Sequence, residues 1–83
     1  MSGTVSARHA LLSSLEEELS RARQFEAAGK GHLDAQERRV ARFKAKNVSR
    51  PESERLLDLL RDADKLHVAH VRLLEREVWE ASG

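Results

Sequence analysis

The chain contains no cysteine and no tyrosine, and it has one proline among its 83 residues. The absence of cysteine excludes disulfide bonds and thiolate metal sites, and it is compatible with a reducing, cytoplasmic location. Aromatic residues make up 4% of the chain and no alternating apolar run is present, so a β-sandwich or barrel is not expected. The longest apolar run has three residues, whereas a membrane-spanning helix needs about 20.

The chain has room for a single helical domain, residues 1–83. Charged residues make up 35% and apolar residues 40%, a balance typical of helical and coiled-coil proteins. So short a chain buries only about 60% of its unfolded surface, which favours self-association as a source of stability. Because the sequence has no glycine-rich phosphate loop, serine elbow or cysteine nucleophile, we predict neither enzymatic activity nor a cofactor.

Two apolar stripes at helical spacing lie on either side of Pro51 and predict two helices. Proline suits the first turn of a helix and disfavours helical geometry at the preceding residue, so the turn is expected just before Pro51. The first stripe consists of Leu12, Leu15, Leu19, Ala22, Leu33, Val40 and Phe43. The second consists of Leu56, Leu60, Ala63, Val71, Leu74, Val78 and Ala81. All of these residues except Ala81 form the predicted core.

The Gly29-Lys30-Gly31 segment leaves two interpretations of the first half open. If Gly29 ends a helix and Asp34 caps the next one, a three-helix bundle follows. If the helix continues, each glycine costs about 1 kcal/mol relative to alanine. The seven-residue spacing of the first stripe passes through this segment without a shift, which favours the continuous helix. We therefore predict an all-α, antiparallel helical hairpin with helices at 4–46, with a break at 29–31 as the alternative, and at 51–81.

Apolar residues cover about half the circumference of the second predicted helix by the helical period. A face this broad is too wide for one partner helix and indicates contact with two or three. The first helix is also longer than the second and overhangs it, so Leu11, Leu12 and Leu15 are expected to be uncovered. Because exposed apolar patches usually mark interfaces, these three leucines are the candidate dimer interface, and we predict a homodimer that forms a four-helix bundle.

The stretch from His32 to Leu74 resembles a group of small uncharacterised proteobacterial helical-hairpin proteins. The resemblance rests on His32-Leu33, on the segment 37–42 (Glu-Arg-Arg-Val-Ala-Arg) and on Leu56-Leu57. It also includes Leu66-His67-x-Ala69 and Arg72-x-Leu74. The group's pattern implies two helices around a polar turn, with a first helix that continues through the position of Gly31. It implies a bacterial source and this architecture, and it carries no assigned activity.

His67 and His70 are the candidate metal ligands, because they are three residues apart on one helical face and imidazole is the commonest metal ligand. A structural zinc site needs four ligands, and one chain offers no obvious third at close spacing, so the pair is more simply explained as polar positions in a broad apolar face. Buried histidines resist protonation, which predicts a bundle that loosens between about pH 5 and pH 6.

A basic stretch at 38–50 contains six of the fifteen lysine and arginine residues and no acidic residue. Arg38, Arg39, Arg42 and Lys46 share one face of the predicted helix and are the candidate contacts to nucleic acid or to an acidic partner. No aromatic residue shares this face, because Phe43 lies on the opposite one, so a stacking platform for single strands is lacking. The sequence thus predicts a non-enzymatic module for protein–protein interaction and oligomerisation. The alternative is a nucleic-acid-associated protein that uses this basic face.

Overall fold

The computed structural model describes residues 2–83, and the side chains of residues 7–83. Helix α1 (Ser2–Ala45) and helix α2 (Pro51–Ser82) pack against each other as an antiparallel hairpin. This confirms the predicted all-α fold and places the helix ends within two residues of the predicted ones. Helix α1 passes through Gly29 and Gly31 without interruption, so the three-helix alternative is wrong. No helix in the described range is long and apolar enough to cross a membrane.

The end of α1 is shaped by Asn47, which has a left-handed backbone conformation with φ of 55°. The Val48 amide donates to the Phe43 carbonyl at 2.9 Å and the Asn47 amide donates to the Lys44 carbonyl at 3.1 Å. These two bonds form a Schellman motif, which satisfies the last carbonyls of a helix and reverses the chain. The guanidinium of Arg50 lies 5.2 Å from the centre of the Phe43 ring, a cation–π contact that holds the turn against α1.

Asn47 provides a test of this turn. A β-carbon in the left-handed region costs about 1–2 kcal/mol, and asparagine tolerates it better than most residues. Asn47→Ala should therefore lower the free energy of unfolding by about 1 kcal/mol, whereas Asn47→Gly should leave it unchanged or raise it. Urea unfolding followed by circular dichroism measures both, and equal stability of the two variants would contradict this account of the turn.

Helix α2 begins at Pro51, in the first turn, where its missing amide hydrogen is not needed. Glu52 and Glu54 lie in the same turn, where their charges favour the positive end of the helix dipole. At the other end, the Gly83 amide donates to the Trp79 carbonyl at 3.1 Å. The start of this helix is thus encoded locally, as the position of the proline predicts.

The contact between the helices is a seam of residues spaced alternately three and four apart on each helix. Its buried apolar members are Leu19, Ala22, Val40, Leu57, Val71 and Leu74. Its partly buried apolar members include Leu12, Leu15, Leu33, Phe43, Leu60 and Val78, and Ala63 and Ala81 are also partly buried. Spacing of this kind is typical of coiled-coil packing. Ala63 lies beside the seam, and with one exception the other residues of the predicted core are buried or partly buried in it.

The exception lies at the start of α2, where the prediction chose Leu56 and omitted Leu57. Leu57 is 6% exposed and Leu56 is 42% exposed. Every fourth or third residue from Leu57 points towards α1, and a shift by one residue turns a side chain about 100° around the helix. The predicted apolar stripe of α2 was therefore wrong at its first residue, where Leu57 and not Leu56 is buried.

Gln36 is a polar residue buried in the seam, with 3% of its surface exposed. Its side-chain amide donates to the backbone carbonyl of Ser53 at 2.9 Å, and its oxygen accepts from Arg39 at 3.1 Å. Both ends of the amide are therefore satisfied, which removes most of the penalty for burying it. The bond to Ser53 ties the C-terminal quarter of α1 to the first turn of α2.

The N-terminal part of α1 extends beyond the end of α2. At about 1.5 Å per residue the helices are about 66 Å and 48 Å long, and the molecule measures 69 Å along its longest axis. Leu15 does not lie on this overhang, because it packs with Val78 against the buried cluster. Leu12 is partly buried and lines a groove with Ala81 and Ser82. The expectation that both are uncovered is therefore wrong, and of the three predicted interface leucines only Leu11 is exposed.

Candidate interaction surface

The two sides of the hairpin differ in chemistry, and one of them is charged. This charged face has two grooves between the helices, which are lined mainly by long charged side chains. Arg23 of α1 donates to Glu75 of α2 at 3.3 Å. As both side chains are about half exposed, this surface ion pair adds little stability. The members of the charged face are Arg23, Lys30, Glu37, Lys44, Arg61 and Glu75.

Glu26 and Lys30 form a second ion pair beside this face, with 3.1 Å between the lysine nitrogen and the carboxylate oxygen. The hydrogen bond to Glu26, and then its negative charge, raise the pKa of Lys30 above its usual value. Because the pKa of Lys30 is higher in the folded chain than in the unfolded chain, the ion pair stabilises fully below the ordinary lysine pKa. That stabilisation is lost only when the pH rises through the raised pKa of the folded chain. The pair is therefore insensitive to pH around neutrality.

The opposite side of the hairpin is apolar along most of α2. Next to the seam, α2 carries a second row of six residues that are also spaced alternately three and four apart. These residues are Leu56, Leu59, Ala63, Leu66, His70 and Leu73. The four leucines are exposed, with Leu66 the most open at 72%. A helix with two adjacent apolar stripes can pack against two partners at once. Within one chain, α1 covers the stripe of α2 that forms the seam, and the row from Leu56 to Leu73 lies outside that contact.

Helix α1 adds Phe25 to this apolar face. Phe25 is 66% exposed and lines a groove with Ala22 and His70. On the same side of α1, about one, two and three turns further on, lie Ala28, His32 and Ala35, all exposed. The two alanines have small side chains and leave the central part of the face flat. The apolar face, defined by these residues and the six of α2, is therefore a continuous surface shared by both helices.

Opposite charges flank the apolar face at its two ends. Near the turn lie three cations, Arg39, Arg42 and Lys46, with one carboxylate, Glu52. At the open end lie three carboxylates, Glu18, Glu77 and Glu80, with one cation, Arg21. We call these sets the turn-end and open-end charges. The face is therefore apolar in the middle, positive at the turn and negative at the open end.

No protein-family model matches this chain, and searches of curated proteins and of solved structures find no match either. The geometry of the hairpin is therefore the basis for its proposed function. The resemblance to the proteobacterial helical-hairpin proteins stays a prediction.

The two candidate metal ligands lie in different surroundings. His67 is part of the seam, where its ring lies against Gly29 and its Nδ1 atom is buried without a hydrogen-bond partner. His70 is exposed on the apolar face beside Phe25. Among the described residues no group of three or more potential ligands could hold a metal ion. The structure therefore supplies no third ligand for either histidine, and the pH response expected of the pair stays a prediction.

Asp64 is a polar residue of the seam that the sequence analysis missed. It lies one turn before His67, and one of its carboxylate oxygens is also buried without a partner. Its charge contributes to the raised pKa of Lys30 across the seam. The alternating spacing of α2, extended from Leu57 through Leu60, places Asp64 on the inner side and could have identified it.

The four candidate nucleic-acid contacts, Arg38, Arg39, Arg42 and Lys46, are all exposed on the outer side of α1. Three of them are the turn-end cations, and Arg39 also hydrogen-bonds Gln36 at 3.1 Å. The basic cluster was predicted, but its position beside the apolar leucines was not. The sequence of α2 does indicate that position, because Leu59, Leu66 and Leu73 recur every seven residues and therefore lie one above another.

Proposed function

We propose that this chain is a non-enzymatic self-association module whose hairpin pairs with a second copy to form a four-helix bundle. The single observation that supports this proposal is the apolar face, with four exposed leucines on α2 and Phe25 on α1. Burying one leucine contributes about 1.5–3 kcal/mol, so an uncovered row of them favours association. A bacterial and cytoplasmic setting, drawn from the resemblance and the absence of cysteine, belongs to the same proposal.

The dimensions of the face suit a stable dimer. With the charges at its two ends it runs along α2 from Glu52 to Glu80, about 42 Å at 1.5 Å per residue, and the hairpin is 16 Å across. A footprint of that size is about 670 Å², of the same order as the roughly 800 Å² per partner of a typical stable interface. A charged face on the other side of the hairpin limits association to one surface, which favours a closed dimer over an open chain of copies.

Sedimentation velocity of the purified chain over a concentration series tests the proposal. We expect the wild type to sediment as a dimer and Leu66→Glu to dissociate at a concentration at least about tenfold higher, because each dimer loses two buried leucines and gains two buried charges. Leu66 is 72% exposed within one copy, so the hairpin itself should keep its helical circular dichroism spectrum.

Trp79→Gln is the matched control. Trp79 is also exposed, at 78%, but its position in the helical repeat puts it on the side of α2 away from the apolar face. Removing it should leave the dissociation constant unchanged. A wild type that remains monomeric up to about 1 mM, the weak end of protein association, would contradict the proposal, as would equal effects of the two variants.

The alternative function is binding of nucleic acid by the basic stretch at 38–50. What favours it is the exposure of Arg38, Arg39, Arg42 and Lys46 on one side of α1. Titration with duplex DNA at two salt concentrations tests it, because contacts to phosphate weaken steeply with salt. Binding at low salt that is lost at high salt would support this alternative, and no binding at low salt would eliminate it.

A further inference from the structure

We infer that the second copy lies antiparallel on the apolar face, with its turn over the open end of the first copy. This inference rests on the proposed self-association and adds the orientation of the partner. The observation behind it is the separation of charge along the face. The turn-end charges carry a net positive charge, and the open-end charges carry a net negative charge.

Two-fold symmetry allows two ways to place one such face on another. If the two turns coincide, two net positive turn ends meet at one end of the dimer and two net negative open ends meet at the other. If the copies are antiparallel, the net positive turn end of each copy lies over the net negative open end of the other. Juxtaposed like charges across an interface are costly, whereas opposite charges are favourable and speed the encounter. The charges therefore select the antiparallel arrangement.

The apolar middle of the face is compatible with this arrangement. Leu66 lies near the midpoint of α2 (Pro51–Ser82), so a two-fold axis through the middle of the face passes close to it. Under that axis α2 lies on the α2 of the other copy and α1 lies on its α1, so Leu59 of one copy meets Leu73 of the other. Phe25 of one copy lies over Ala35 of the other, because both are about equally far from the level of Leu66 along α1. A large side chain faces a small one at that contact, which is the pattern that fills an interface without voids.

The distance between the two turns measures the orientation directly. The chain has no cysteine, so Ser49→Cys in the exposed turn offers a single attachment point for a spin label. In the antiparallel dimer two labels lie about 50 Å apart, close to the length of α2 at 1.5 Å per residue. With coinciding turns they lie within about 20 Å, because packed helices are 8–10 Å apart. Double electron–electron resonance on the labelled protein distinguishes the two values.

Charge reversal supplies a second measurement. Arg42→Glu with Lys46→Glu makes the turn end negative, and in the antiparallel dimer it then meets the partner's carboxylates. At low salt we expect the dissociation constant to rise about tenfold or more. Adding Glu77→Lys and Glu80→Lys to the same chain reverses both ends, and the affinity should return towards that of the wild type.

The control pair for charge reversal is Lys44→Glu with Arg55→Glu, which changes the net charge by the same amount. Lys44 belongs to the charged face and Arg55 lies on the outer side of α2. This pair should leave the affinity almost unchanged. If the four-residue variant fails to recover affinity, or if the control pair weakens association as much as the turn-end pair, the charges do not set the orientation.

The outcomes also separate this inference from the proposal on which it rests. A monomeric wild type shows no distance between labels and overturns both. A wild-type dimer with labels within about 20 Å overturns the antiparallel orientation and leaves self-association intact. A dimer with labels about 50 Å apart, weakened by turn-end reversal and restored by reversal of both ends, supports both.

Discussion

Replacing Leu74 by alanine should remove a large share of the stability of the hairpin. Leu74 is 3% exposed and packs in a cluster with Leu19, Ala22 and Val71. Truncating a fully buried leucine costs about 2–5 kcal/mol, depending on how far the neighbours close the cavity. A domain of this size has about 4–12 kcal/mol in total, at 0.05–0.15 kcal/mol per residue. We therefore expect a large fall in the urea midpoint, measured by circular dichroism at low protein concentration.

The neighbouring residue supplies the control. Leu73 is 52% exposed on the apolar face, and a substitution at an exposed position usually changes stability by less than about 0.5 kcal/mol. Leu73→Ala should therefore unfold close to the wild type when the concentration is low enough to exclude association. Similar losses for Leu73→Ala and Leu74→Ala would mean that the seam does not run where the structure places it.

Alanine at the two glycines of α1 should change stability in opposite directions. Gly31 has open space where a β-carbon would lie, so Gly31→Ala should stabilise the helix by about 1 kcal/mol through its higher helix propensity. At Gly29 a β-carbon would lie 2.9 Å from Nδ1 of His67, closer than real contacts allow. The His67 ring or the helix must then move, and overpacking of this kind costs about 1–3 kcal/mol.

A double-mutant cycle isolates the contact between Gly29 and His67. In a chain that already carries His67→Ala, the ring is gone and Gly29→Ala should stabilise by about 1 kcal/mol, as it does at Gly31. Thermal or urea unfolding of the four chains gives the interaction energy. If Gly29→Ala stabilises the wild type as much as Gly31→Ala does, the close approach of the helices at this point would be disproved.

The contact between Gly29 and His67 also explains why α1 continues where a break seemed plausible. Glycine costs about 1 kcal/mol in a helix, but at Gly29 the missing side chain gives His67 of α2 a place in the seam. The seven-residue spacing on either side of Gly29 predicted the continuous helix correctly. That His67 occupies this position was not predictable, because it depends on how far α2 is displaced along α1.

The rotation of α2 about its own axis decided which of its leucines are buried. Leu56 and Leu57 are both apolar and adjacent, and each begins a row of residues spaced three and four apart. Local pattern cannot choose between two such rows, since both satisfy helical periodicity. Packing against α1 selected the row from Leu57, and it left the row from Leu56 as the apolar face.

The sequence by itself determined the two helices, their near-exact limits, the turn before Pro51 and most of the core. These features depend on local chemistry: periodicity, the fixed φ of proline and the tolerance of Asn47 for a left-handed backbone. Only the tertiary structure decided that Leu15 is covered, that Gln36 bonds the Ser53 carbonyl and that His67 lies against Gly29. Those features depend on the axial alignment of two helices, which the sum of many weak contacts sets.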